Sequence, residues 1–600
     1  MAFNYRSPNP NRYTEYPFAI QWDDSNIYGV YDGRIVLYLE TSGLNLLSVE
    51  IEDNRVSIDG TINAKERATC VLYAPEWGAK IDECRTFLDT DELCFATRNY
   101  WDEIMADGIQ LNLPDQEFVN IIQSSRVNCL IAARREGDEF VSPWVAAGMY
   151  GPVDHEAQII IKAMDWWGHE KFAKDALAFF QNSIGEKGFF TTGWTTTAIA
   201  WHLWLLAEHF DITGDKAWLE SLAPSIIKSC KWITKELEKT KRLDYKGDKL
   251  PEYGLFTPSV SGDWRQLNYK YYVQARLYAG LKESARVLAE IENPAAEEIG
   301  KEAEEFRHNI LRAYRWTQSR CPVVPLRNGT WVPYSPSIVY AFGMVSDIFP
   351  AGHRGAWAYD IEHGSQYLFD LDILTADGEG ADWLVNHYED VCFQLSGYGC
   401  KGHYTESQNW DEWFNRGGFS KYMWSLSSTV EIYAMRDEVK PLIRSVFNQI
   451  AMSLDTENLT FWEHGVGAAW NKTHGTGRIL EQIRMMLVLE KKDDLWLAPF
   501  MPNHYMHDGL RVEINRAPTH FGEVSYVIRS FVNNGYIDAE INPPKRKMPA
   551  GIVIRLRHPE GKRIKSVTVN GKPHTDFNPK KETVRIKLSE DKQIYVKAEF

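Results

Sequence analysis

Glu463 is the side chain whose neighbours most strongly suggest chemistry. Trp462 precedes it, His464 follows it, and the next residues include several glycines and Trp470. From Ile479 onward the sequence becomes an apolar helical pattern. A carboxylate in a glycine-rich loop before a buried helix can act as a general base, and flat rings beside it can stack on a pyranose. We therefore predict that Glu463 is the general base of a sugar site, against the alternative of an ordinary loop glutamate.

A second carboxylate, Asp263, stands in a comparable setting. The segment Pro258-Ser-Val-Ser-Gly-Asp-Trp-Arg runs directly into a predicted helix. Apolar surroundings raise the pKa of a carboxylic acid, as a general acid requires, although an Asp at a helix entrance can also be a simple N-cap. Inverting glycoside hydrolysis needs an acid and a base roughly 6.5–9.5 Å apart. We predict that Asp263 and Glu463 are this pair.

Two further clusters combine carboxylates with histidine and aromatic side chains. The first lies between Tyr150 and Glu156, and the second lies between His403 and Trp413. Carboxylates and histidines bind sugar hydroxyls through charge-assisted hydrogen bonds, and tryptophans in loops can stack on sugar rings. Either cluster could instead hold the catalytic acid. The histidines lack close metal-ligand spacing, so no catalytic metal and no cofactor are expected. The predicted substrate-binding residues are Tyr150, Asp154, His155, Glu156, Trp194, Trp264, Arg265, His403, Tyr404, Glu406, Trp410, Trp413, Trp462, His464 and His474.

The composition restricts the possible partners. The 600 residues carry 66 Lys and Arg against 82 Asp and Glu, a net charge of −16. This balance argues against nucleic acid and anionic membranes, whereas 22 Trp, 29 Tyr and 27 Phe favour a stacked carbohydrate ligand. The eight cysteines show no close pairing and the N-terminus lacks an apolar signal region. We expect a cytoplasmic protein, or an exported one whose signal peptide is absent from this chain. The sequence does not determine the oligomeric state.

The elements that must position these residues follow from hydrophobic periodicity. Period-two alternation predicts an N-terminal β-sandwich over residues 1–112 and a C-terminal β-sandwich over residues 499–600, the latter antiparallel. Residues 113–498 show helical periodicity in about twelve segments. These are Phe118–Ala133, His155–Ser183, Thr195–Phe210, Lys216–Leu237, Gln266–Glu290, Ala295–Trp316, Ser335–Ser346, Asp360–Leu374, Ala381–Leu395, Phe419–Met435, Asp437–Met452 and Gly477–Glu490.

Short turns alternate with long loops rich in glycine and aromatic residues between these helices. Long loops are uncommon unless they carry function. If the helical pairs close into a ring, the four long loops meet at one mouth. They are Ser183–Thr195, Tyr245–Arg265, Gly397–Gly418 and Asp455–Thr476.

This pattern resembles the six-hairpin glycosidases, the (α/α)6-barrel superfamily that includes α-L-rhamnosidases, glucoamylases and processing α-glucosidases. The resemblance covers Phe118 to Leu497 in helix order and loop placement. Thr460-Phe-Trp-Glu463-His resembles the rhamnosidase segment that carries the general base. Ser261-Gly-Asp263-Trp resembles the acid-bearing Ser-Gly-Trp-Asp segment of processing α-glucosidases, with Trp and Asp exchanged. The resemblance implies a mainly α fold, an (α/α)6 toroid between two β-sandwiches, and hydrolysis of a terminal sugar such as an α-L-rhamnoside or α-glucoside.

Other functions remain compatible with the same residues. A polysaccharide lyase on this toroid would remove the C5 proton of a uronide, and His155, His403, Tyr404 and Arg416 could supply its base and its cation. A phosphorylase is disfavoured because it would not need Glu463. A non-catalytic carbohydrate-binding protein is the third alternative.

Overall fold

The computed structural model describes two compact units, residues 1–105 and residues 106–600. The structure describes residues 19–600 apart from 24–25, 45–46, 53–54, 76–77, 88, 137–139, 147–149, 191–194, 262–263, 327, 344–347, 349–363, 393–427, 463–470 and 589–591. No helix in the described ranges is both long enough and apolar enough to cross a bilayer.

The described residues of the first unit form six strands and a short helix, and a second helix begins within this unit. Strands β1, β2, β3 and β6 form a four-stranded sheet in that order, and β4 pairs with β5. A small buried cluster that includes Tyr28, Ile35 and Tyr38 packs on the larger sheet. The elements are β1 Ala19–Trp22, β2 Asn26–Tyr31, β3 Arg34–Glu40, β4 Leu47–Glu52, β5 Arg55–Gly60, β6 Val71–Tyr73, α1 Ile81–Cys84 and α2 Thr90–Asp107.

Helix α2 corrects the prediction that residues 1–112 show only the period-two alternation of strands. The Asp89 Oδ1 atom accepts hydrogen bonds of 2.9 Å from the backbone N–H groups of Asp91 and Glu92, which satisfies free donors at the start of the helix. Few residues of α2 are β-branched, so the segment favours a helix once it is capped. The predicted N-terminal sandwich stays a prediction.

The second unit contains twelve described α-helices, which alternate between two sets along the chain. The outer set is α3 Gln116–Ile131, α5 Glu170–Gln181, α7 Lys216–Glu238, α9 Ala295–Gln318, α11 Glu379–His387 and α13 Val439–Ser453. The inner set is α4 Asp154–Trp166, α6 Ala198–Thr213, α8 Tyr271–Glu290, α10 Gln366–Asp370, α12 Thr429–Arg436 and α14 Thr473–Leu487.

The two sets differ in burial, which follows from their sequences. Nearly every residue of α4 and α14 is buried, including charged ones, whereas α9 is amphipathic and buries one stripe. The junction between α6 and α7 follows from two adjacent residues: Gly214 ends α6 at φ +71°, and the Asp215 side chain accepts a 3.0 Å hydrogen bond from the N–H of Trp218.

Contacts lead from each inner helix to the next around a complete circuit. Helices α4, α6, α8, α10 and α12 touch in that order, and α14 packs on α4. An ion pair between Glu431 of α12 and Arg478 of α14 completes the circuit. Each outer helix packs on at least one inner helix. The segments that lead into the inner helices are long, such as 239–270 and 454–472, and those that lead out are short.

Three of the predicted helices are wrong in detail. The predicted helix Gln266–Glu290 begins at Tyr271, because Trp264–Asn268 forms a strand that pairs with Ser259–Ser261, so the segment that contains Asp263 leads into a strand and not directly into a helix. The described part of the predicted helix Ser335–Ser346 is irregular, because Pro336 disfavours a helical Ser335 and Tyr340 has φ +70°. The predicted single helix from His155 to Ser183 is two helices, α4 and α5. It breaks at Gly168, whose φ is +86° and whose added Cβ would lie 3.1 Å from the Gly108 Cα.

In the described part of the second unit, two larger sheets follow the helices, together with small two-stranded ribbons. Their orders are β16-β17-β21-β25-β24 and β23-β22-β26-β20-β19-β18-β7. The strands of this unit are β7 Gln110–Asn112, β8 Ala133–Glu136, β9 Phe140–Pro143, β10 Ser259–Ser261, β11 Trp264–Asn268, β12 Val323–Pro325, β13 Trp331–Pro333, β14 Leu454–Asp455, β15 Thr460–Phe461, β16 Val488–Lys491, β17 Asp494–Leu497, β18 Arg511–Ala517, β19 Val524–Phe531, β20 Tyr536–Asn542, β21 Gly551–Arg555, β22 Ser566–Val569, β23 Lys572–His574, β24 Phe577–Asn578, β25 Thr583–Ile586 and β26 Ile594–Glu599.

These sheets reach beyond the expected segment 499–600. Strand β7, within the expected N-terminal segment, pairs with β18, and β17 pairs with β21. The pairing of β17 with β21 is parallel, whereas the described strand pairings within residues 499–600 are antiparallel. The chain therefore has a mixed α and β fold, and its division at residues 112 and 498 stays a prediction.

Candidate functional site

The N-terminal turns of the inner helices contact one another, beginning with α4, α6, α8 and α10. The Asp154 carboxylate, in the first turn of α4, accepts 3.2 Å hydrogen bonds from the backbone N–H and the hydroxyl of Thr195, just before α6. Trp201 of α6 donates a 3.3 Å hydrogen bond to the Tyr272 hydroxyl of α8. The Tyr272 ring lies 4.7 Å from the Tyr367 ring of α10. The entrances of these four helices therefore lie on the same side.

The same side includes the entrances of α12 and α14. Glu431, in the first turn of α12, pairs with Arg478 in the second turn of α14. Lys472, immediately before α14, lies 3.2 Å from the Glu156 carboxylate of α4. The polar and aromatic groups of the six inner-helix entrances thus share one end of the helices, which we call the mouth.

A charged cluster joins α4 and α14 at the mouth. The Glu156 carboxylate lies 3.4 Å from His474 and 3.2 Å from Lys472, and the Lys472 ammonium lies 4.1 Å from the centre of the Tyr150 ring. Burial alone would raise the pKa of Glu156, but His474, Lys472 and His155 together lower it to about 2. Burial lowers the pKa of His474 to about 3, so its imidazole is neutral at pH 7 and Lys472 is the permanent countercharge.

His155 belongs to the same turn of α4. Its ring lies 3.4 Å from the Asp154 carboxylate. Although burial by itself would lower the pKa of His155, its hydrogen bond to Asp154 and the charges of Glu156 and Asp154 raise it. The cluster can therefore offer both an ionised carboxylate and positive charge to a polar ligand.

Below the mouth, charged side chains of the inner helices meet near the middle of the set. Lys162 of α4 lies 3.3 Å from Glu481 of α14, and Arg478 lies 2.6 Å from the same carboxylate. Arg478 also pairs with Glu431. These four charged groups pair with one another, as buried charges must.

Asp370, the last residue of α10, lies near this group. Burial and the charge of Glu431 raise its pKa, although Arg276, Arg478 and Lys162 oppose the rise. A half-buried carboxyl with a raised pKa among buried charges is a functional candidate. Its electrostatic neighbours come from α8, α12, α14 and α4, so Asp370 faces the middle of the inner set.

Several sequence-predicted residues lie together at the mouth in the structure. Asp154, His155 and Glu156 form the first turn of α4, and His474 lies in the first turn of α14. Tyr150 lies under Lys472. Among the other predicted site residues, Trp462 is half-buried and follows strand β15, whereas Trp264 and Arg265 belong to strand β11. Asp263, Glu463, Trp194, His403, Tyr404, Glu406, Trp410, Trp413 and His464, with Arg416 of the lyase alternative, lie outside the described residues.

Sequence reasoning missed many of the described residues that form the mouth and the charged group below it. Apart from Lys472, which immediately precedes α14, they lie at ordinary helical core spacing, so periodicity assigns them to packing rather than to a site. A charged residue inside an otherwise apolar helical pattern is the one signal that could have identified them. They are Lys162, Trp201, Tyr272, Arg276, Tyr367, Asp370, Glu431, Lys472, Arg478 and Glu481.

A second charged group lies toward the C-terminal end of α6. The ligand atoms of Glu208, Asp211 and His520 lie within 4.8 Å of one another. Glu208 accepts 2.7 Å hydrogen bonds from Trp166 and His520, and Asp211 pairs with Arg286. The charge of Glu208 raises the pKa of His520 to about 9 against the opposing effect of burial. In this structure the three side chains and Arg286 form an ion-pair network.

Comparison with known proteins identifies the fold. No protein-family model and no curated protein matches the chain. A bacterial glucoamylase solved in complex with acarbose is similar at a TM-score of 0.50 and 10% identity, over 78% of this chain and 74% of that chain. An α-L-rhamnosidase from Dictyoglumus thermophilum gives a TM-score of 0.47 at 11% identity, over 82% of this chain and 50% of that one.

A metal-independent α-mannosidase from Streptococcus pneumoniae matches at a TM-score of 0.39 and 10% identity, over 65% of this chain and 98% of that chain. This chain spans about half the length of the rhamnosidase. The structural neighbours are glycoside hydrolases, and the predicted resemblance to the six-hairpin glycosidases is confirmed for the fold.

Proposed function

We propose that the inner and outer helices form an (α/α)6 toroid between two β-sandwiches, with the active site at the mouth. The circuit of contacts through the six inner-helix entrances supports this arrangement. The fold shared with the glucoamylase supports it independently.

The proposed activity is inverting, exo-acting hydrolysis of a terminal α-L-rhamnoside-like or α-glucoside-like sugar. One observation carries the proposal: the segments that contain Asp263 and Glu463 both connect to inner-helix entrances at the mouth. The Ser259 carbonyl accepts a 2.7 Å hydrogen bond from Lys270, immediately before α8. The Phe461 carbonyl accepts a 2.9 Å hydrogen bond from the N–H of Lys472, immediately before α14.

In this proposal Asp263 protonates the leaving oxygen and Glu463 activates the attacking water. The groups at the mouth bind the hydroxyls of the glycosyl residue, and the inner-helix packing holds them rigidly before substrate arrives. No step requires a metal or cofactor.

Aryl glycosides of glucose, rhamnose and mannose test the proposal. Glu463→Gln should reduce the rate of hydrolysis by roughly 10²–10⁴ for substrates with any leaving group, because the water is no longer activated for attack. Asp263→Asn should lose least on nitrophenyl glycosides, which need little protonation. Glu457→Gln and Asp248→Asn, exposed positions in the same two connections, are matched controls and should keep the wild-type rate.

The products decide between the alternatives. Proton NMR should show the anomer opposite to that of the substrate as the first product. Retention of configuration would refute inversion, and an unsaturated uronide with its ultraviolet absorbance would replace the hydrolase with the lyase. A wild-type rate in Glu463→Gln would refute the assignment of the base.

A further inference from the structure

Arg276, in the second turn of α8, is held in a fixed position without a polar partner. It is 6% exposed. Its guanidinium carbon lies 3.7 Å from the centre of the Trp201 ring and 4.5 Å from the centre of the Tyr367 ring. Among the described residues no hydrogen bond or ion pair reaches its guanidinium, and its Nε atom is buried without an acceptor. A buried guanidinium without a hydrogen-bond acceptor is unfavourable, so a ligand that supplies an acceptor oxygen would satisfy its N–H groups.

Asp370 is the matching group on α10. Its carboxylate also has no hydrogen bond or ion pair to any described residue. Tyr367, which stacks on Arg276, lies three residues before Asp370, and residues at this spacing share a face of a helix. The charge of Arg276 acts on Asp370 although the two form no ion pair. The two groups therefore face the same space from neighbouring helices.

The other charged groups of this region are already paired. Lys162 and Arg478 both bind Glu481, and Arg478 also binds Glu431. Arg276 and Asp370 are thus one cation and one anion that keep their hydrogen-bonding capacity for a ligand. A guanidinium donates to hydroxyl oxygens, and a carboxylate accepts from hydroxyl protons.

We propose that Arg276 and Asp370 together bind hydroxyl groups of a neutral glycosyl residue and disfavour a uronate. This inference rests on the proposed function and names its substrate class. The carboxylate of a uronate would be attracted to the Arg276 guanidinium, but it would also lie beside the negative charges of Asp370 and Glu431. Since burial and Glu431 already raise the pKa of Asp370, the site disfavours additional negative charge.

Calorimetric titration with D-glucose, L-rhamnose, D-mannose and D-glucuronate measures this preference directly. Wild-type protein should bind at least one neutral sugar and should bind glucuronate at least tenfold more weakly. Asp370→Asn and Arg276→Gln should each lower the affinity for the neutral sugar by about 10-fold or more, as expected for the loss of hydrogen bonds to charged groups. The control is Asp372→Asn, whose side chain is 83% exposed two residues away, and its affinity should be unchanged.

A pH series separates binding from a structural role. Because the ionised carboxylate is the better acceptor, the wild-type affinity should fall as the pH decreases through about 6, and that of Asp370→Asn should not. Glucuronate binding as tight as the neutral sugar, binding of no sugar at all, or wild-type affinity in both variants would overturn the inference. Sugar binding without hydrolysis would refute the proposed function alone. Hydrolysis with an unchanged KM in both variants would refute this inference alone.

Discussion

Replacing Asp370 with asparagine should stabilise the protein while it weakens sugar binding. Burial and the Glu431 charge raise the pKa of the Asp370 carboxyl from 3.8 to about 6, against the opposing charges of Arg276, Arg478 and Lys162. The raised pKa means that the folded protein tolerates the ionised carboxylate poorly. Asparagine has nearly the same shape and no charge, so it removes this penalty.

The size of the effect follows from the shift. A change of about two pKa units corresponds to about 3 kcal/mol at 1.36 kcal/mol per unit. Asp370 is half-buried, and solvent screening reduces the penalty, so the expected gain in the free energy of unfolding is about 1–3 kcal/mol.

The gain in stability from Asp370→Asn depends on pH in a defined way. Below pH 3.8 the carboxyl is protonated in both the folded and the unfolded protein, and the penalty is absent. Between pH 3.8 and about 6 the folded protein binds more protons than the unfolded chain, so wild-type stability decreases as the pH rises. Above about pH 6 the full penalty remains, and there Asp370→Asn should gain most.

Urea unfolding followed by tryptophan fluorescence at pH 4 and pH 8 measures this difference. Asp370→Asn should exceed wild type at pH 8 and approach it at pH 4. Asp372→Asn should match wild type at both values, because its side chain is exposed. A less stable Asp370→Asn at pH 8, or an equal gain at both pH values, would refute the electrostatic reasoning.

Two further substitutions test other parts of the second unit. His520→Gln should destabilise the protein by about 1–3 kcal/mol at pH 6, because it leaves Glu208 buried without its cation. The pKa of His520 is raised to about 9, so the loss should shrink as the pH rises from 6.5 through 9 in urea unfolding, and a loss that is constant with pH would contradict the ion pair. Gly188→Ala should lower the melting temperature, because Gly188 has φ +92° and an added Cβ would lie 2.5 Å from the Lys228 carbonyl oxygen. Gly247 has a similar φ of +87° but open space around it. Gly247→Ala therefore isolates the backbone strain, about 1 kcal/mol, and should be the milder variant.

The sequence by itself determined the local features of the chain. Helical periodicity predicted most helices of the second unit, and local caps such as Asp115, which accepts a 3.0 Å hydrogen bond from the N–H of Phe118, determine where they begin. These features depend on residues a few positions apart, so a linear pattern contains them. Where local signals compete, the prediction was wrong. Gly168 splits one expected helix because its backbone packs against Gly108, and Asp89 caps a helix in a region expected to form strands.

Only the tertiary structure decided which core-spaced side chains form the floor of the site. Arg276 and Asp370 are more than ninety positions apart and lie in ordinary helical patterns. Arg276 became a candidate because Trp201 and Tyr367, from two other helices, enclose it without supplying an acceptor. Asp370 became one because charges from four other inner helices act on it while the other charges pair among themselves. Burial and pairing depend on the whole three-dimensional surroundings of a side chain, and no sequence spacing specifies them.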